Sequence, residues 1–410
     1  MNASGGTGSG LTPVPGATSA GAVLQLVRGG ITTRSDLARH TGMARSTVSQ
    51  RVDALIRLGL IVETGDGPST GGRPPTRLAF NPDGGVVIAA DFGATHCRLA
   101  IADRTGELLV ELADELDIGV GPDIAVDWAM ERVAELMERI DRPLDAIDGV
   151  GVGLPGPVEY AAGRVVNPPI MPGWDRVAVP PLFRAHLPNA AVLVDNDVNM
   201  MALGEYWHRW RSTVDDMLFV KIGTGIGCGI IARGGILHGA QGAAGDLGHV
   251  QIPDALDALC TCGNRGCVEA VAGGGAVSAA LRAEGHDVHD ARDVVALARA
   301  GDAGALNALR TSGRLLGEVL AGAVNFFNPS VIVLGGDLAD GHEQLIAGVR
   351  EFVYRRSTAL ATRNLQIVHS HLGADAGVVG CAVTALEAVL SAEAVDARLA
   401  RSEATRGATA

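Results

Sequence analysis

The chain is almost without lysine. Lys221 stands alone among 410 residues, and every other basic side chain is arginine. That imbalance reads as a bias of composition rather than as chemistry. Aromatic residues make up only 3%, so the core has to be built from Ala, Val and Leu, which dominate the 47% hydrophobic share. With 56 glycines, this is the mixture of a turn-rich α/β protein of two or three domains. An excess of positive charge is also missing. The formal net charge of −13 argues against nucleic acid bound across the whole surface. No apolar run approaches the length of a membrane span. The opening MNASGGTGSGLTPVPGATSA lacks the basic and apolar regions of a signal peptide, and residues 1–19 read as a disordered tail. A reducing, cytoplasmic compartment is therefore expected, where clustered cysteines point to metal or redox chemistry rather than to disulfides.

The charge is unevenly spread. Residues 20–80 carry eight Arg against four acids, near +4, which leaves the remainder near −17. A basic segment on an acidic protein suggests one module that meets a polyanion. Within it, the spacing predicts a helix over Arg34–His40, a turn at Thr41-Gly42-Met43 and a second helix over Ala44–Leu58. Leu37, Val48, Val52 and Leu55 form its inner face. Arg45, Ser46, Thr47, Ser49 and Gln50 then lie on the exposed part of the second helix, suited to phosphates and base edges. Two strands near 60–62 and 76–80 flank a Gly-rich loop, as in a wing, and Arg73 between Gly and Pro suits a minor groove. The alternative is a three-helix module that holds a partner protein. The wing, the arginines and the string ARSTVSQR favour a winged helix-turn-helix that binds a DNA operator.

Two stretches of the body resemble each other: VVIAADFGATHCRLAIADRTGELL from Val86 and MLFVKIGTGIGCGIIARGGILH from Met217. Each reads strand, Gly/Thr turn, strand, tight turn, strand. Such a duplication suggests two similar lobes with a cleft between them. Facing Gly/Thr turns offer backbone N–H groups to a polyphosphate. A third turn at Gly335 and Gly336, after an apolar strand, would approach a nucleotide base. Between the first two turns, VLVDNDVNMMALGEYW reads as a buried strand followed by a helix, with Asp197 at the junction on the rim of a cleft near 195–200. Asp197 there can accept a proton from a hydroxyl that attacks a phosphoryl group, and Asn196 can fix another hydroxyl. Helix capping is the rival use of these residues.

Three of the six cysteines fall within eight residues, after a histidine: His249, Cys260, Cys262 and Cys267. A Cys₃His set is a closed tetrahedral zinc site of structural type. A redox pair is the alternative, but it is usually C-x-x-C and here is C-x-C. Chelation would order the loop and draw Asp246 and Glu269 toward one place, where carboxylates can accept from sugar hydroxyls. Cys97, Cys228 and Cys381 lie in apolar contexts and read as inert core.

The motifs DFGAT (91–95), LPGPV (154–158), NDVN (196–199), GTGIG (223–227), AAGDLGH (243–249), CTCGNRGC (260–267) and LGGDL (334–338) stand in an order that resembles the ROK family of repressors, open reading frames and sugar kinases. The resemblance spans about residues 20–390. It implies an α/β, actin-like (ribonuclease H-like) two-lobed ATPase fold behind a winged helix-turn-helix, organised as 20–80, then 86–395, then a flexible tail at 396–410. It also implies zinc on His249, Cys260, Cys262 and Cys267. A hexose or N-acetylhexosamine is then expected on Asn196, Asp197, Asp246, His249 and Glu269. ATP, with Mg²⁺ as its companion, would lie against Asp91, Gly93, Thr95, Gly223, Thr224, Gly225, Gly335 and Gly336. Asp197 is the base in kinase members, and dimers or tetramers are the family expectation. Two departures weaken phosphoryl transfer more than sugar sensing. The first turn reads DFGATH, where the extra methyl of Ala94 is expected to crowd a phosphate, and the family's Glu is Asp246, one methylene short. The expected function is a sugar-responsive transcriptional regulator. A sugar kinase carrying a DNA-binding domain is the alternative, and a protein-binding scaffold the blandest one.

Overall fold

The computed structural model describes residues 18–66, 76–339 and 343–409. The chain divides into two compact units. The first comprises residues 1–86, 103–107 and 386–410; the second comprises 87–102 and 108–385.

In the first unit, α1 (Ala20–Arg28), α2 (Arg34–Thr41) and α3 (Arg45–Arg57) precede the antiparallel pair β1 (Ile61–Asp66) and β2 (Thr76–Phe80). The side chains of Ser19 and Thr33 cap α1 and α2, each accepting from a backbone N–H of the first turn. Gly42 ends α2 at φ 71°, a left-handed turn that glycine adopts without steric cost and that turns the chain toward α3. Val23, Leu24, Leu37, Val48, Val52, Leu55 and Ile61 are fully buried and hold the three helices and the ribbon together. Arg34 bridges Asp53 of α3 at 3.0 Å and Glu63 of β1 at 2.6 Å, so this arginine serves the fold rather than a ligand.

The expected flexible tail at 396–410 is instead helical. α14 (Ala392–Thr409) packs on α1, with Val395 fully buried and the Gly21 N–H donating to Asp396 at 2.9 Å. Gly21 has no side chain because a β-carbon there would collide with the backbone of Ala392. The turn at 103–107 also belongs to this unit, where Arg104 donates to the Gly59 carbonyl at 2.7 Å. The boundary read at 86–395 therefore does not follow the chain contiguously.

The second unit contains two five-stranded sheets of matching topology. The first runs β5-β4-β3-β6-β9, with β3 (Val86–Phe92), β4 (His96–Asp103), β5 (Leu108–Glu115), β6 (Ile147–Leu154) and β9 (Ala191–Asn196). The second runs β12-β11-β10-β13-β14, with β10 (Met217–Ile222), β11 (Ile226–Ala232), β12 (Gly235–Ile236), β13 (Val331–Gly335) and β14 (Gln366–His369). In each, three consecutive strands form a meander, and two later strands join beside the first. That is the duplication expected from the two similar stretches. A small ribbon, β7 (Val158–Glu159) and β8 (Arg164–Val165), lies between β6 and β9 in sequence.

Helices α4 (Pro122–Arg139), α5 (Pro180–His186) and α6 (Asp197–Glu205) follow or interrupt the first sheet. With the second go α7 (Glu269–Ala272), α8 (Gly274–Ala283), α9 (Ala291–Arg299), α10 (Ala303–Phe327), α11 (Glu343–Arg356), α12 (Ala359–Thr362) and α13 (Ala376–Leu390). α6 is buried along its whole length, and glycines on β11 admit it: a β-carbon at Gly227 or Gly229 would meet Val198 or Ala202. One apolar stretch is longer than the sequence reading allowed. Gly373–Leu390 has the length and composition to cross a membrane, but 61% of it is buried inside the protein. Val378, Cys381, Ala382, Val383 and Ala385 show that it is a core helix.

Candidate functional site

In the first unit, Arg45, Ser46 and Gln50 of α3 are exposed and Thr47 and Ser49 half-buried, while Val48, Val52 and Leu55 face inward. The inner and outer faces follow from helical spacing alone. Arg73 and the tip of the wing lie outside the described residues.

In the second unit, the second and third glycine turns pack together, and the first lies within the field of their charged neighbours. Gly336, at φ 88°, packs on the backbone of Ile222, and the Leu338 N–H donates to the Ile222 carbonyl at 2.9 Å. Gly274 and Gly275 at the start of α8 donate to the carbonyls of Gly223 and Thr224, at 2.8 and 3.0 Å, which pins the second turn. The first turn closes by a bond from the Gly93 N–H to the His96 carbonyl at 2.8 Å, and the His96 ring lies over Gly93. Burial lowers the His96 pKa, and Lys221 and Arg292 lower it further, with Asp337 opposing. Lys221 precedes the second turn and Asp337 follows the third, so all three turns share one electrostatic field. Ala94 is exposed, and it is the His96 ring that covers the first turn. Thr95 and Thr224 are also exposed.

Asp91, at the end of β3, faces Gly377 and Gly153, where side chains would strike its carboxylate. Burial and then the charge of Asp197 push Asp91 up to about 7, although Lys221 and Arg98 pull it down. Asp197 itself is buried at the first turn of α6. Its Oδ1 accepts from the Val198 N–H at 2.9 Å, and its Oδ2 accepts from Lys221 Nζ at 2.5 Å. Asn196 caps α6: its Oδ1 also accepts from Val198 N–H at 2.9 Å, and its Nδ2 donates to the Gly156 carbonyl at 3.0 Å. Its amide is thus engaged on both sides by the fold, as the rival capping role requires.

Lys221 was missed in the sequence. Its one signal is being the chain's sole lysine two residues ahead of GTGIG, a pattern that by itself reads as compositional bias. A second missed pair is His238 Nε2 with the buried Asp195 Oδ2 at 2.6 Å. Tyr160 stacks on the His238 ring at 3.9 Å between centroids, and Asn199 Nδ2 donates to the other Asp195 oxygen at 2.9 Å. Nothing in the sequence links residues so far apart.

The third set is the cysteine loop. One ligand atom from each of His249, Cys260, Cys262 and Cys267 lies within 4.8 Å of all the others. Cys262 and Cys267 sulfurs are 3.7 Å apart, against about 3.8 Å for the edge of a tetrahedron of sulfurs around zinc. His249 turns Nδ1 to Cys260 at 3.5 Å and Nε2 toward Asp246 at 3.8 Å. The thiols conflict electrically. The Asn264 backbone N–H favours the Cys262 thiolate, whereas burial and the neighbouring sulfurs push Cys267 up to about 12. A divalent cation removes that conflict, so the donor set fits a metal. Glu269 ties the loop to the second turn: Oε2 accepts from the Ile226 N–H at 2.9 Å and Oε1 lies 3.8 Å from Cys260 Sγ. Asp246 is exposed and Glu269 half-buried. Cys97, Cys228 and Cys381 are buried, and burial pushes Cys228 up to about 12, as inert core thiols require.

Comparison with known proteins adds to this geometry. Residues 87–388 match the model of the ROK family, and residues 24–62 match that of winged helix-turn-helix DNA-binding domains. The chain is 29% identical to a xylose repressor of Caldicellulosiruptor bescii, over 88% of this chain and 93% of that protein. It superposes on a crystal structure described as a ROK family transcriptional regulator, a homologue of the E. coli MLC protein, with TM-score 0.78 and 25% identity over 93% of this chain and 98% of the other. A ROK family glucokinase from Streptomyces griseus, solved with glucose and AMPPNP, matches 73% of this chain and 99% of its own, with TM-score 0.63 and 28% identity.

Proposed function

This chain belongs to the ROK family, and we propose that it is a sugar-responsive DNA-binding transcriptional regulator. The observation that carries this is the pairing in one chain of an exposed reader helix, α3, with a two-sheet body of ROK type. A relative named as a repressor and a structure described as a transcriptional regulator match nearly the whole length, whereas the glucokinase matches only 73%. Such a protein acts where the DNA is, in the cytoplasm.

In this reading Arg45, Ser46, Thr47, Ser49 and Gln50 contact the operator, with Arg73 of the wing in the adjacent minor groove. A hexose or N-acetylhexosamine, or its phosphate, occupies the cleft near Asp197, Asp246, His249 and Glu269. Zinc on His249 Nδ1 and the three thiolates orders the loop that carries three of those groups. The metal's work is structural, since four protein ligands leave no open position. Sugar binding favours one arrangement of the DNA-binding modules over another, and differential affinity for the two supplies the coupling. Paired half-sites require at least two modules, so a homodimer or homotetramer is part of the reading.

A titration of purified protein on its own promoter DNA, with a panel of sugars, tests the proposal. One sugar should change DNA affinity severalfold at fixed salt. Binding to DNA that no sugar alters would sink the sensing half of the reading. The glucokinase likeness keeps one second reading in view, an ATP-dependent kinase built on Asp197, for which ADP release with Mg-ATP and the same panel is the direct assay.

A further inference from the structure

We propose that Lys221 is a resident cation that holds Asp197 as an ammonium-bound acceptor, so that the cleft binds a sugar without transferring a phosphoryl group to it. The proposal rests on the regulator reading and adds to it a reason, in this chain's own residues, why sensing is not accompanied by turnover.

The geometry is specific. In a phosphoryl transfer the sugar hydroxyl oxygen forms a bond to phosphorus, the bond to the leaving diphosphate oxygen breaks, and the hydroxyl proton goes to a carboxylate within hydrogen-bond reach. Both oxygens of Asp197 already have donors, the Val198 N–H at 2.9 Å and Lys221 Nζ at 2.5 Å. Asp197 is 8% exposed and Lys221 31%, so water screens the pair little on the carboxylate side. The ammonium stabilises the anion and already engages the Oδ2 of Asp197. What remains for a ligand is the outer face of a neutral ion pair, which can orient a hydroxyl but is a poor sink for its proton.

The surroundings point the same way. Asp91 and Asp337 add their charge to that of Asp197 around Lys221, while His96 lies in the field of Lys221 and Arg292, and Arg98 acts on Asp91. Carboxylates converging beside glycine turns are where a divalent cation would bridge to phosphate oxygens. Here one tethered positive charge stands among them. Burial lowers the Lys221 pKa, but Asp197, Asp91 and Asp337 outweigh it and leave the group above its ordinary value, firmly protonated. The group at this position is the chain's single lysine. An ammonium is a compact point charge, whereas a guanidinium is a broad planar fork.

Because the chain has one lysine, protein labelled with ¹³C at lysine Cε yields a single side-chain resonance that reports Lys221 directly. In the full-length protein this resonance should titrate above the range of a free lysine, and Asp197→Asn should move its midpoint down by about one pH unit. Manganese binding, read by electron paramagnetic resonance, gives a second measure. Lys221→Met should bind Mn²⁺ about tenfold more tightly than wild type, and Lys221→Met with Asp197→Asn should lose the gain. A resonance in the ordinary lysine range that Asp197→Asn does not move would overturn the proposal, and so would ADP release by wild-type protein with Mg-ATP and any sugar. If Lys221→Met fails to fold, the wild-type resonance and ADP assay still decide. Sugar-dependent DNA binding is scored separately, so the regulator reading can stand while the resident cation falls, or the reverse.

Discussion

Gln25 of α1 donates from its Nε2 to the carbonyl of Leu390 at 2.6 Å, across 365 residues of sequence. This bond ties the end of α13, and that of Gly21 to Asp396 ties α14, into the unit that carries the reader helix.

Gly21→Ala tests that packing. Alanine favours a helix over glycine by about 1 kcal/mol. The new methyl would collide with the backbone of Ala392, and overpacking of this kind costs about 1–3 kcal/mol. The collision should win, and urea unfolding should show the variant less stable than wild type.

Reader and sensor should separate by mutation. Arg45→Ala is expected to weaken operator binding about tenfold and leave sugar affinity unchanged. Parallel fluorescence titrations with DNA and sugar check this. Equal loss of both in a folded variant would contradict the division of labour.

The cysteine loop should hold one zinc per chain. Metal analysis of dialysed protein, followed by a chromophoric chelator in the presence of a thiol-blocking reagent, gives the count. Cys262→Ser should abolish the release, and sugar binding should weaken with it, because Glu269 and Asp246 lose the scaffold that fixes them.

Asp91 makes a pH prediction. Its carboxyl is raised from 3.8 to about 7, so between those values the folded state binds more protons than the unfolded chain. Its contribution to stability is therefore present at low pH, is lost progressively as pH rises from about 4 to about 7, and is flat above that. Subtracting the stability–pH curve of Asp91→Asn from that of wild type should expose this falling segment. A difference that rises over the same range would refute the assignment.

Much of the local structure was legible because it depends on neighbours in sequence. Leu37, Val48, Val52 and Leu55 repeat at helical spacing, so the inner face of the helix-turn-helix follows from geometry alone. The duplicated strand–turn–strand stretches became two sheets of matching order. The run from His249 to Cys267 suggested a metal-binding set by its spacing, and the fold brings one candidate ligand atom from each of His249, Cys260, Cys262 and Cys267 within 4.8 Å of the others. The helical C-terminus was not legible. Residues 396–410 contain good helix formers, Ala and Arg above all, but their apolar pattern is weak, and the packing of α14 on α1 does not show in the sequence.

The sequence by itself determined the class of the protein: a DNA-reading helix, a duplicated α/β body and a cysteine loop, all written in short-range patterns. Only the tertiary structure decided how the cleft is charged. Lys221 and Asp197 are separated by a strand and a helix in sequence and by 2.5 Å in space. Asp91 takes its pKa from burial and from charges on a helix and on other strands. Electrostatic energy depends on distance through the folded protein rather than along the chain, so no local pattern announces it.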